Sequence, residues 1–138
     1  MEQGQYRQAE AYLREASALF HQYPPEMPDL LAAYTPYRLA LLQRHYLNPG
    51  NGAPPHDEIK EALEYLRQAR SVLETEYRRA ARMAGKLKSQ DLERYQRQYQ
   101  AVSQDFYYLE LDLYLHLPEL HQEALERFHL LMEQLARA

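Results

Sequence analysis

The side chains best suited to chemistry are six histidines and the carboxylates spaced one helical turn from them. Glu126 and His129 stand three residues apart, the spacing that puts two ligands of a di-iron carboxylate site on one helix face. Such a site needs a second pair of this kind and two further glutamates. The chain offers one pair, which we read as a solvated helix face. His116 and His121 straddle Pro118 and could meet across a turn, but no third ligand stands at a fitting spacing. Asp112 and His116 are four apart, close enough on a helix for a hydrogen-bonded ion pair. With Glu110 beside them they are either polar contacts in a groove or else a satisfied structural pair or an exposed helix edge, and we take the latter. Arg38 and His45, seven apart, could act on a phosphodiester by acid–base chemistry. The chain has no cysteine, no glycine-rich phosphate loop, no His-Glu-x-x-His and only four serines. We therefore expect no enzyme, no metal and no cofactor.

The elements that would carry these residues are helical. Ala, Leu, Glu, Gln and Arg dominate the composition, and no segment sustains a two-residue alternation. A chain of 138 residues is most simply one domain, 1–138. The first apolar stripe runs Tyr6, Ala9, Leu13, Ala16, Phe20, Tyr23 and must end at Pro24-Pro25. Asp29 is a candidate cap for a second helix carrying Leu30, Leu31, Tyr34, Leu39, Leu42 and Tyr46, kinked or briefly broken at Thr35-Pro36. Turn residues fill 48–56. Asp57 then opens a long third helix with the stripe Ile59, Ala62, Leu66, Ala69, Leu73, Tyr77, Ala80, Ala84, closed by Gly85. Ser89 should cap a fourth, also long, with Tyr95, Tyr99, Val102, Phe106, Leu109 and Leu113 inward and Pro118 at its end. A fifth carries Leu120, Ala124, Phe128, Leu131 and Leu135. Between Phe106 and Leu117 apolar residues point in every direction of the wheel, which predicts a central helix covered on most sides. That stretch is too short to span a membrane. The fold expected is all-α: about five antiparallel helices with a long hairpin between the third and fourth.

Charge is uneven. From Arg78 to Arg97 seven basic residues face two acidic ones, leaving +5 there and, from a total of −4, −9 elsewhere. The overall sign argues against wholesale nucleic-acid binding. The third and fourth helices would bring Arg78, Arg79, Arg82, Lys86 and Lys88 to one projecting basic tip, which either complements the helix dipole or docks an acidic partner or nucleic acid. Residues 1–20 show no signal peptide, and with the lack of cysteine this leads us to expect a cytoplasmic protein.

Gly4-x-Tyr6-x-x-Ala9-x-x-x-Leu13-x-x-Ala16 resembles the second helix of a tetratricopeptide repeat. Ala62-x-x-x-Leu66-x-x-Ala69 repeats the pattern, as does Ala124-x-x-x-Phe128, with Leu131 at the third position. The resemblance implies a divergent tetratricopeptide-like array, its motifs spaced more widely than the family's period. It also implies an adaptor that holds a peptide or protein partner. Arg38 and His45 loosely resemble the arginine–histidine pair of HEPN-type ribonucleases, which implies an RNA-cleaving bundle as the alternative.

In such an array the first helix of each pair lines the concave face, a role that falls to the second and fourth helices. The partner-binding residues expected there are Tyr34, Tyr37, Arg38, Tyr107, Tyr114 and His116. Thirteen tyrosines without a tryptophan suit such a surface, since tyrosine combines contact area with a polar tip. The first helix lacks the neighbour a repeat would supply. Either it folds back on the second and third helices or a second copy covers it, and the reading leans towards a homodimer.

Overall fold

The computed structural model describes residues 3–46 and 56–137, so the loop expected over 48–56 lies outside the described residues as far as 55. The described residues form five α-helices and contain no strand: α1 (Gln3–Gln22), α2 (Tyr34–Tyr46), α3 (His56–Arg82), α4 (Ser89–Leu115) and α5 (His121–Arg137). Each helix packs on the next in the chain, and α2 also touches α4. The all-α expectation and the long hairpin between the third and fourth helices are what the structure shows.

α3 runs through the middle of the array. Ile59, Ala62, Leu66, Ala69, Leu73 and Ala80 are buried as their spacing predicts, and Leu63, Tyr65 and Val72 widen that stripe into a broad face. Ala40 of α2 and Ala62 and Ala69 of α3 are fully covered, which lets the two helices come close, because the side chains at a contact set the distance between helix axes. Asp57 and Glu58 in its first turn and Arg79 and Arg82 in its last complement its dipole.

α4 returns along α3, with Tyr77 and Tyr99 stacked at 4.3 Å near the turn. Its inner stripe, Tyr95, Val102, Phe106, Leu109 and Leu113, is buried as predicted, with Tyr99 half-buried. The expectation that this helix is central and covered on most sides is corrected. Its far side is open, with Tyr108 52% and Leu115 58% exposed. Only α5 packs beyond α4, and it covers one flank. The most deeply covered helix is α3, whose inward face runs from Ile59 to Ala80 against α2 and α4.

Three helix boundaries also shift. A 3₁₀ turn at Leu30–Ala33 precedes α2, so the break lies before Tyr34 rather than at Pro36. Pro36 falls in the first turn of α2, where a missing N–H costs nothing. Asp29 makes no side-chain cap; its own N–H donates instead to Glu76 Oε1 at 2.9 Å. α3 stops at Arg82, short of Gly85, because the Met83 carbonyl accepts from both Lys86 and Leu87 and turns the chain into a 3₁₀ segment, Ala84–Lys86. No described residue has a positive φ, so Gly85 is not used for left-handed backbone. Ser89 is the first residue of α4, with Lys88 at the cap position.

α1 folds back on α2 and α3. Tyr6 is buried and donates to Glu10 (2.8 Å), with Gln43 Oε1 3.1 Å away, and Arg14 hydrogen-bonds Tyr65 of α3. The segment after it is held by α3 and α4 together. Arg79 donates to the carbonyls of Pro25 (2.7 Å) and Glu26 (3.0 Å), and Tyr95 to that of Pro28 (3.1 Å).

Candidate interaction surface

α4 presents three flanks, and the residues expected to bind a partner divide between two of them. On the flank towards α2, Tyr34 donates to Asp105 at 2.6 Å and meets Tyr37 edge-on at 5.6 Å. Tyr37 lies 5.3 Å from the buried Phe106 ring. Burial, and then the Asp105 carboxylate, push the Tyr34 phenol well above the usual tyrosine range, so it stays a neutral donor. Arg38 is exposed, its guanidinium 5.7 Å from the Tyr34 ring. Further along, Arg44 donates to Asp112 (2.8 Å) and to His116 Nε2 (2.8 Å), and Asp112 and His116 are 3.6 Å apart. Since a guanidinium can only donate, Nε2 of His116 is the acceptor. Nε2 then has no proton to give Asp112, so the expected direct i, i+4 pair is replaced by a cluster in which both side chains accept from Arg44, an arginine that sequence spacing did not single out.

Tyr107 and Tyr114 occupy another flank, about 200° round the helix from Asp105 in the case of Tyr107. Arg70 of α3 stacks over the Tyr107 ring at 4.5 Å and pairs with Glu110. Glu110, only 2% exposed, also holds Arg127 of α5 at 2.5 Å. Burial alone would lower the Arg127 pKa, but Glu110 and Tyr114 outweigh it and the net shift is upward. A narrow cleft of about 100 Å³ lies between Arg67, Arg70, Tyr114 and Arg127. The six expected residues thus do not meet in one groove. Tyr34, Tyr37, Arg38 and His116 line the α2 flank, whereas Tyr107 and Tyr114 help lock α3, α4 and α5 together.

The third flank faces away from α2 and α3. Leu111 and Leu115 of α4 and Ala124, Leu125 and Phe128 of α5 enclose an open apolar groove of about 520 Å³, with His121 at one end. Tyr108 extends it along α4, and Met132 and Leu135 extend it along α5, all exposed. α5 exposes this side because its short connection, a 3₁₀ turn at Pro118–Leu120, drops it onto one side of α4. That buries Ala124 and Leu131 and leaves the next positions round the wheel outward. Spacing alone assigned Phe128 and Leu135 to the core. The signal that could have found the groove was the all-round apolar character of 106–117, which places Tyr108, Leu111 and Leu115 opposite Phe106, Leu109 and Leu113.

At the turn between α3 and α4, Arg78, Arg82, Lys86 and Lys88 are exposed, as a basic tip requires. Arg79 is turned inward to Glu76 (2.6 Å) and the Pro25–Glu26 carbonyls, where it fixes the loop after α1. His121 Nε2 donates to the Leu115 carbonyl at 3.3 Å. Glu126 and His129 are exposed. Among the described residues no group of three His, Asp or Glu side chains could hold a metal ion, and no helix is long and apolar enough to cross a membrane. His45 lies in α2, but its side chain is outside the described residues. Comparison of the chain with protein-family models, curated proteins and solved structures finds no match.

Proposed function

We propose that this protein is a non-enzymatic interaction module that docks an amphipathic helix of a protein partner against the outer face of α4 and α5. The observation that carries this reading is the open apolar groove at Leu111, Leu115, Leu125 and Phe128. Exposed apolar surface of this extent on a folded chain marks an interaction site. Two neighbouring helices with apolar residues at steps of three and four form the cradle that a third helix fills with its own stripe. We read the array as tetratricopeptide-like on its sequence motifs, an architecture in which each helix packs on the next, as the helices do here. In such an array this face is where the following helix would lie.

The α2 flank is a weaker docking surface, because Tyr34 and Tyr37 are already engaged with Asp105 and Phe106. The test is cross-linking from the groove. A photoreactive side chain at Leu115 should capture a polypeptide that Leu125→Glu abolishes and Arg78→Ala leaves intact. Capture that survives Leu125→Glu places the partner elsewhere and ends the reading.

A further inference from the structure

We infer that the occupant of this face is a second copy of the chain, with α5 packed against its symmetry mate about a two-fold axis near Phe128. This rests on reading the α4–α5 face as the docking surface. The area is sufficient. Tyr108, Leu115, Leu125, Phe128, Met132 and Leu135 are each about half exposed. At roughly 200 Å² for a fully exposed large side chain, they leave roughly 600 Å² of apolar surface per copy. That reaches the upper end of what monomers leave uncovered, about 300–600 Å². Two such faces brought together bury about 1,200 Å², above the roughly 1,000 Å² a specific interface needs.

The pattern is also self-complementary, as a two-fold interface demands. Leu125, Phe128 and Met132 advance by three and then four residues, so the stripe read backwards nearly superposes on itself about Phe128. In an antiparallel pair Phe128 meets its own copy, Leu125 meets the Leu131–Met132 turn, and His121 meets Leu135. Each copy's α5 then seats beside the partner's Leu111 and Leu115, which fills the groove as well as covering the stripe. Like charges stay apart. Glu126 and Glu133 lie about 100° or more round α5 from the centre of the stripe, and Glu123 lies farther still.

The experiment is sedimentation of the full chain across micromolar to submillimolar concentrations, with cysteine cross-linking as an independent readout. Wild type should show twice the 16.4 kDa chain mass. Phe128→Glu should weaken dimerisation by roughly 30-fold or more, as a central hot spot does. Leu19→Glu, on the exposed side of α1, should leave it unchanged. Because the chain lacks cysteine, Phe128→Cys should form a disulfide-linked dimer under a mild oxidant while Leu19→Cys does not. A monomer at every concentration overturns the inference. If the Leu115 probe then still captures another protein through the groove, the docking reading stands without it. A dimer that Phe128→Glu leaves intact overturns the inference equally, since its interface lies elsewhere.

Discussion

α3 and α4 are the same length, 27 residues each, and they lie side by side, yet they solve opposite problems. α3 carries its apolar residues on one broad face, and its outer positions, Lys60, Glu64, Arg67, Gln68, Ser71, Thr75 and Arg78, are polar and exposed. α4 is apolar almost all round over its C-terminal half, and the structure covers that half incompletely. The helix with the more one-sided pattern is the more central one, because its neighbours sit on the side the pattern prepares. An all-round pattern signals two separate contacts, one made inside this chain and one left for something else. The buried charges follow the same division. Glu110 and Glu76 sit on inward flanks and are paired with arginines, whereas the outer face of α4 near Leu111 is apolar.

The sharpest way to break this comparison is at the point where the helices are locked together. Glu110→Ala takes away the buried carboxylate that the partly buried Arg70 and Arg127 share, and with it two charge-assisted bonds. It should cost about 3–5 kcal/mol in urea unfolding, whereas Glu64→Ala, on an exposed pair, should stay within about 0.5. Next comes the contrast between the two sides of α4. At concentrations low enough to keep the chain monomeric, Leu113→Ala, on the buried stripe, should cost about 2–5 kcal/mol, and Leu115→Ala, two residues later, within about 0.5. Equal losses at the two positions would show that the outer face is core, and the proposed docking surface would go with it.

Tyr107→Ala should fall between these, at about 1–2 kcal/mol, through loss of the ring under Arg70. Arg38→Ala, whose side chain is exposed over Tyr34, should be nearly silent in the same measurement. The smallest effect is a pH dependence. Tyr99 is pushed up from 10.0 to about 12, first by burial and then by its hydrogen bond to Glu74, and Tyr34 is raised by burial and Asp105. Both phenols hold their protons more tightly folded than unfolded. Their contribution is therefore whole below pH 10 and declines as the pH rises from 10 through about 12. Tyr99→Phe with Tyr34→Phe should flatten the alkaline limb of the stability profile while leaving the groove unchanged.

Helix count, helix type and the inner stripes of α3 and α4 were legible in the sequence, since they follow from a 3.6-residue period and from proline stops, and both are local. Capping was less legible. Asp29 and Gly85 carry the right chemistry, but a long-range bond from Asp29 to Glu76 and the double acceptor at Met83 gave the chain another way to satisfy its backbone. The candidate site was the least legible. A tyrosine on a helix reads the same whether it faces Asp105, supports Arg70 or meets water, because its period says which residues share a face and not what lies opposite. Tyr107 and Tyr114 became half-buried because Arg70 of α3 and Arg127 of α5 both come to Glu110. Leu115 and Phe128 became surface because α5 settled on one side of α4 and nothing in the described chain follows on the other. Periodicity, which is short-range, determined the helices. The choice of which apolar face stays open was made by how those helices pair, a long-range outcome of burying the larger faces first.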